Sequence, residues 1–302
     1  MKKEKRRKAK NLKFIVILAT LLTTAITIFL WGANRFFSLR LPIDYNAFGT
    51  FGDFYGGFLG TILLIISVVV VYRTYREQMK QQVENRFFQL LKIHDSNVQN
   101  LRGKDLDIFN VCLSQIRVFV RFINSYVADT KINWELLDIV KLAYLYYFFG
   151  IVEFDEKRMK GIETIDHTEI SELNKYLRAR GVSLVNPGYL YLGLYFRQIY
   201  QTVTYIDGKD ELSAEDKYEL VKTLRVRLNI EEQYLLFINS LTLLGQEWKE
   251  KAKDSSKNLI THYNLIKNIP KVFSGIEGIQ FWNDKYGYPE VEYEFNKKVS
   301  SK

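Results

Sequence analysis

Two uncharged apolar runs dominate the first quarter of the chain. Phe14 to Gly32 reads FIVILATLLTTAITIFLWG, and Phe54 to Tyr72 reads FYGGFLGTILLIISVVVVY. Each is close to the roughly 20 residues that a helix needs to cross a bilayer. Beyond the second run the pattern becomes amphipathic. Tyr72, Tyr75, Met79, Val83, Phe87, Leu90, His94, Val98 and Leu101 recur every three or four residues, with no glycine or proline between them. That spacing predicts a second span continuing into a stalk helix. Helical periodicity returns over Leu106–Val127, Trp134–Phe149, Ile170–Arg180, Tyr189–Ile206, Ala214–Leu228, Ile230–Leu244 and Glu247–Ile269. Breaks are expected at Gly103, Gly150, Gly181, Asn186-Pro187, Asp207-Gly208 and Gly245. SAED, from Ser213 to Asp216, reads as a helix start with Ser213 as cap.

The fold class is therefore all-α: a transmembrane hairpin whose second span runs into a stalk and a helical domain. The organisation read from the pattern is a basic arm over 1–13, the hairpin over 14–72, the stalk over 73–102, the helical domain over 103–270, and a tail over 271–302. The tail is aromatic and has no clear period, so it either wraps the helical body or offers a contact surface to a partner.

Charge sharpens the membrane reading. The 302 residues carry a net +9, but residues 1–13 hold eight Lys/Arg against one Glu. Arg35, Arg40, Asp44 and Asp53 cancel between the arm and Tyr72, leaving the remainder near neutral. A basic overall charge thus gives no argument for nucleic-acid binding by the helical domain. Arg73, Arg76 and Lys80 follow the second span, so basic flanks on both sides put the N-terminus and the C-terminal domain in the cytoplasm. The first run is long for a signal peptide and ends without a convincing small-x-small site, which favours an anchor over cleavage. Cys112 is the sole cysteine and can form no internal disulfide.

FGTFGDFYGGFLG, Phe48 to Gly60, raises a phosphate-loop reading. It has no Gly-Lys-Ser/Thr, no G-x-G-x-x-G and no preceding strand, so that reading falls. At 100° per residue, Gly49, Gly52, Gly56 and Gly60 share one stripe, which Ser67 continues. Small residues four apart let helix backbones approach closely. The approaching helix is either the first span, through Thr20, Thr24 and Thr27, or a second copy of the chain. Asp53, at the stripe's edge, either reaches headgroups or Arg40, or acts as a gate.

Candidate chemistry is sparse. His94, His167 and His262 have no partner at metal-ligand spacing, and no arginine stands four to six residues before any histidine, as HEPN-type ribonucleases require. His94 falls in the apolar stripe of the stalk, where a packing role is the default. In YLYLGLYFRQIYQTVTYID, Tyr189, Phe196, Tyr200 and Val203 share a face while Arg197 and Tyr205 lie elsewhere. Arg225, Arg227 and a half-buried Asn239 come from the following helices. Aromatics beside arginines can stack on RNA, yet near-neutral charge favours helix packing with buried arginine pairs. No cofactor and no catalytic constellation are called for.

These residues together resemble a bacterial family of phage abortive infection proteins similar to AbiC. The resemblance rests on the two spans, on FGDFYGGFLG, and on ENRFFQLLKIHDSNV with Phe87, Phe88, Leu91 and His94. It continues in GLYFRQIYQTVTYID with Tyr195, Phe196, Arg197, Tyr200 and Asp207, in LRVRLNIEEQYLLFINSL with Leu224, Arg225, Leu228 and Asn239, and in HYNLIKNI with His262. Val226-Arg227 departs from the Ala-Gln that usually follows the arginine. The resemblance implies a role in stopping phage propagation, often by harming the infected cell, and brings no catalytic residues. The expectation is a defence effector anchored in the bacterial inner membrane, with the lipid bilayer, further copies of the chain and a phage or host protein trigger as partners. The alternatives are a tethered RNA-binding or RNA-cleaving toxin, nucleic acid being the less favoured partner, and a non-toxic scaffold or sensor.

Overall fold

The computed structural model describes residues 17, 20, 21, 24–28, 45–103, 106–151, 162, 165–182, 188–250, 258–273, 275, 276, 278–283, 285 and 287–296. The chain divides into two compact units, Met1–Gln78 and Met79–Lys302. The basic arm, most of the first apolar run and the segment carrying Arg40 lie outside the described residues. So do the Asn186-Pro187 break and the side chain of His167.

In the first unit the dominant element is the start of α1, Tyr45–Leu101. The helix begins ahead of Phe54, so the glycine-rich stretch is helical from the outset. At 57 residues it is about 85 Å long at 1.5 Å per residue. Its apolar part is long enough to cross a membrane, and none of that part is buried. Phe54, Phe58, Leu64, Val68 and Val71 all face outward. The hydroxyls of Thr50, Thr61 and Thr74 each donate to the carbonyl four residues back, which satisfies polar groups internally as a lipid environment requires. Ile17, Thr20, Leu21 and the run 24–28 are helical, and Thr24 Oγ1 bonds Thr20 O at 2.7 Å.

The second unit is a helical body. The end of α1 is joined by a two-residue antiparallel ladder, Arg102–Gly103 with Leu106–Asp107, to α2, Ile108–Thr130. Then come α3, Leu136–Phe149; α4, His167–Ala179; α5, Tyr189–Asp207; α6, Ala214–Arg225; and α7, Ile230–Ser240. A 3-10 turn, Leu243–Gly245, leads to α8, Glu247–Glu250, and further on stands α9, Leu259–His262. α7 packs against both α2 and α3. Its residues from Glu232 to Ser240 are all buried, the mark of a helix enclosed by others.

Caps set the register of these elements. Asp107 Oδ1 accepts from Phe109 N, Ser213 Oγ from Asp216 N, and Asn258 Oδ1 from Ile260 N. Asn229 and Glu232 form a reciprocal capping box on α7, at 2.7 and 2.6 Å. Each cap stabilises by about 1 kcal/mol.

Several helices end earlier than periodicity predicts. α6 stops at Arg225 and not Leu228. α7 stops at Ser240, because the chain folds back so tightly that a Cβ on Gly245 would sit 2.4 Å from Asn239 O. The helix expected to reach Ile269 ends at His262. Asn264 takes φ 51°, and Leu265 N donates to Ile260 O at 2.9 Å, a left-handed helix stop that asparagine tolerates.

The aromatic tail wraps the body. Ile276, Ile279, Phe281, Tyr288, Val291 and Tyr293 are buried in the common core. Ile276 N donates to Tyr234 Oη at 2.8 Å, Arg117 Nε to Gly275 O at 2.9 Å, and Tyr288 Oη bonds Ser240 Oγ at 2.8 Å. Edge-to-face rings from Phe237 to Phe281 and Tyr288 fill the seam.

Candidate functional site

The sequence candidates separate into surface and interior. Gly49, Gly52, Gly56 and Gly60 form an open stripe on α1: among the described residues nothing lies within 4 Å of a Cβ built at any of them. Asp53 is exposed beside them, and Ser67 is exposed further along. Arg197 is exposed on α5. Tyr200 is partly buried and meets Trp248 edge-to-face at 5.1 Å. His262 is exposed at the end of α9, its ring 4.6 Å from that of Tyr263. Asn239 is fully buried and not half-buried as expected. Its Nδ2 donates to Tyr144 Oη at 3.0 Å, while Oδ1 has no partner.

Two constellations emerge in the body. The first is the seat of α1. Val83, Phe87, Leu91 and His94 are its buried stripe, and polar contacts flank it. Lys80 Nζ meets Asp216 Oδ2 at 2.7 Å, Asp95 pairs with Arg227, Asn97 donates to Gln198, and Arg102 Nη2 stands 3.4 Å from Glu232 Oε1. His94 is 2% exposed, with its ring 5.5 Å from that of Tyr195 and neither nitrogen hydrogen-bonded. Burial drives its pKa from 6.5 down to about 4, aided by the charges of Arg227 and Arg102 against the opposing pull of Asp95. Burial and the neighbouring Glu232 carboxylate push the Tyr195 phenol well up, and burial raises the Glu232 carboxyl itself. His94 is thus the one titratable group on the seated stripe, and it is neutral at pH 7.

The second constellation surrounds Arg225. Its guanidinium is 4% exposed, and Nη1 donates to the carbonyls of Tyr263 and Asn264 at 3.0 and 3.3 Å. Nε has no partner, and among the described residues no carboxylate pairs with it. The guanidinium carbon stands 5.9 Å from the centre of the half-buried Tyr218 ring. Asn264 Nδ2 donates to Tyr218 Oη at 3.2 Å, and its Oδ1 accepts from Glu292 N at 2.9 Å. Lys267 is buried as well, 3.3 Å from the exposed Glu292 carboxylate. Burial alone would raise the Tyr218 phenol. Hydrogen bonds from Asn264 and Arg225, with the charges of Arg225 and Lys267, bring it below its ordinary value. Nearby, Tyr263 Oη donates to Asp207 Oδ1 at 2.7 Å.

Sequence reasoning singled out His94, Arg225 and Arg227 but missed Glu232, Arg102, Tyr218, Asn264 and Lys267. Only Glu232 had a local signature, as the third residue after the Asn229 cap. Among the described residues no group of His, Cys, Asp and Glu is arranged to hold a metal.

One helix, α1, holds both an apolar, uncovered segment long enough to cross a membrane and the stripe buried in the helical body. Residues 190–273 match a family model described as "Putative phage abortive infection protein". The resemblance read from the sequence is therefore shown over α5 to the turn after α9, and it supports a role in anti-phage defence. No curated protein matched the chain, and no solved structure did. The matched segment holds the whole Arg225–Tyr218–Asn264–Lys267 group, together with Tyr195, Arg227 and Glu232 of the α1 seat.

Proposed function

We propose that the chain is an abortive-infection effector anchored in the bacterial inner membrane, with its N-terminus and helical body in the cytoplasm. The body receives an infection cue, and α1 carries the response to the bilayer. The observation that carries this reading is the continuity of α1. One unbroken helix holds both the apolar segment and a stripe whose residues and flanks meet α5 and α6 of the matched segment.

The physical logic follows from helix rigidity. From Thr61 to Leu101 the helix has neither glycine nor proline, so rotation or displacement at the seat is transmitted along that length towards the apolar end. The open stripe Gly49, Gly52, Gly56, Gly60 and Ser67 is the surface for helix association. Here it meets a second copy of the chain, making a homo-oligomer, and Asp53 sits where associated helices bring acidic groups close. Output is membrane disruption or growth arrest.

Cross-linking in membranes before and after phage addition tests the association step. The reading predicts oligomers through α1 in the wild type and their loss in Gly56→Leu, together with loss of protection. Full protection by a monomeric Gly56→Leu chain would refute it. RNA decay that persists in a chain beginning at Arg73 would instead favour a tethered RNA-cleaving domain.

A further inference from the structure

Arg225 and Lys267 are an anomaly in the body. Both are buried cations, at 4% and 6% exposed, and burying a charge is costly unless it is paired. Arg225 donates to two backbone carbonyls and to the Tyr218 phenol, all of them neutral acceptors. Among the described residues Lys267 pairs with one carboxylate, Glu292, whose side chain is 75% exposed and so remains mostly in water. Asp207, which is half-buried, accepts the Tyr263 hydroxyl.

Three further observations mark the place as built rather than incidental. Asn264 holds a left-handed backbone at φ 51°, a conformation that clusters at ligand clamps and turns. Its side chain bridges Tyr218 Oη and Glu292 N. Tyr218 is half-buried, which opens the group to solvent. Its phenol is acidified, whereas burial raises the phenols of Tyr144, Tyr146, Tyr195, Tyr234 and Tyr263.

We infer that Arg225, Lys267 and Tyr218 form a binding site for a phosphate-type anion, either free phosphate or the phosphate of a nucleotide. Tyr218 Oη donates to the anion, Lys267 supplies the neutralising charge, and Arg225 adds positive charge while holding the Tyr263 and Asn264 carbonyls of the turn. Glu292 holds the Lys267 ammonium until the anion displaces its carboxylate, after which that carboxylate is free in solvent. Guanidinium, ammonium and phenol are the groups that recognise phosphate oxygens. The site is independent of the membrane reading, so either can fail alone.

The test uses the full chain in detergent micelles, titrated with inorganic phosphate and, separately, with ATP, against chloride at equal ionic strength. Binding is read by calorimetry and by thermal shift. The expected result is saturable binding of one of the two, weakened at least about tenfold in Lys267→Gln and in Tyr218→Phe, and tightened in Glu292→Gln. Ultraviolet titration adds a second readout: a tyrosine ionisation below the ordinary phenol range is lost in Tyr218→Phe, and it moves to higher pH when the anion binds. Saturation by phosphate and ATP alike assigns recognition to the phosphate group alone, and saturation by ATP only assigns it to a nucleotide. Arg225→Met weakens binding if it folds; if it does not, the Lys267 and Tyr218 variants still decide. No binding beyond that of chloride, or binding that Lys267→Gln and Tyr218→Phe leave unchanged, overturns the site.

Discussion

Arg225 and Arg197 stand one and a half helices apart in sequence and look alike as candidates, yet their surroundings give opposite expectations. Arg225 donates to two backbone carbonyls at the turn after α9; Arg225→Ala takes this donor from the Tyr263 carbonyl, while the Asn264 carbonyl keeps Lys267 N, and it leaves a cavity beside Tyr218. A loss of about 3 kcal/mol or more is expected in urea unfolding. Arg197 is exposed, and Arg197→Ala is expected to stay within about 0.5 kcal/mol. Asn239 belongs with Arg225. Asn239→Leu strands the Tyr144 hydroxyl in the core and should cost about 2 kcal/mol, part of which the double variant with Tyr144→Phe recovers.

His94 gives the residue scale a pH signature. Its pKa is lowered on folding from 6.5 to about 4, so below pH 6.5 the unfolded chain binds a proton that the folded chain does not. This contribution leaves stability unchanged above pH 6.5 and subtracts progressively as pH falls towards 4, by up to about 3 kcal/mol. Urea midpoints at pH 7 and pH 5 should therefore differ less in His94→Leu than in the wild type. An equal difference in both would place the titration elsewhere.

At the scale of elements, α1 was the most legible part of the fold. Its stripe of Val83, Phe87 and His94 followed from periodicity, because a seated helix must present one apolar face. The Ser213 cap was equally readable. Helix ends were not, since Gly245 and Asn264 act through contacts between segments rather than through local composition. Nothing in HYNLIKN announces a left-handed asparagine. The tail hid for a related reason: its aromatics pack as irregular chain against α7, and irregular packing has no period to read. Lys267 and Tyr218 are 49 residues apart in sequence, so only folding brings them beside Arg225. The glycine stripe yields a prediction of its own. Because no atom of the described residues meets a Cβ at Gly56, Gly56→Leu should leave the melting temperature of the body unchanged while abolishing cross-linked oligomers. A lowered melting temperature would show that the stripe packs within one chain.

For the molecule as a whole, the account joins two chemistries in one chain. An apolar, uncovered helix suited to lipid and a polar-flanked seat in a folded body share α1, and the segment matched to the defence family supplies the other walls of that seat. On the proposed function, a cue felt at the body acts at the bilayer only while the helix is whole. The most direct measurement is phage challenge of cells carrying a membrane-potential dye, comparing the full chain with a chain that begins at Arg73. The account predicts depolarisation and protection with the full chain and neither with the shortened one. Protection by the shortened chain, or protection by the full chain with membrane potential intact, would contradict it.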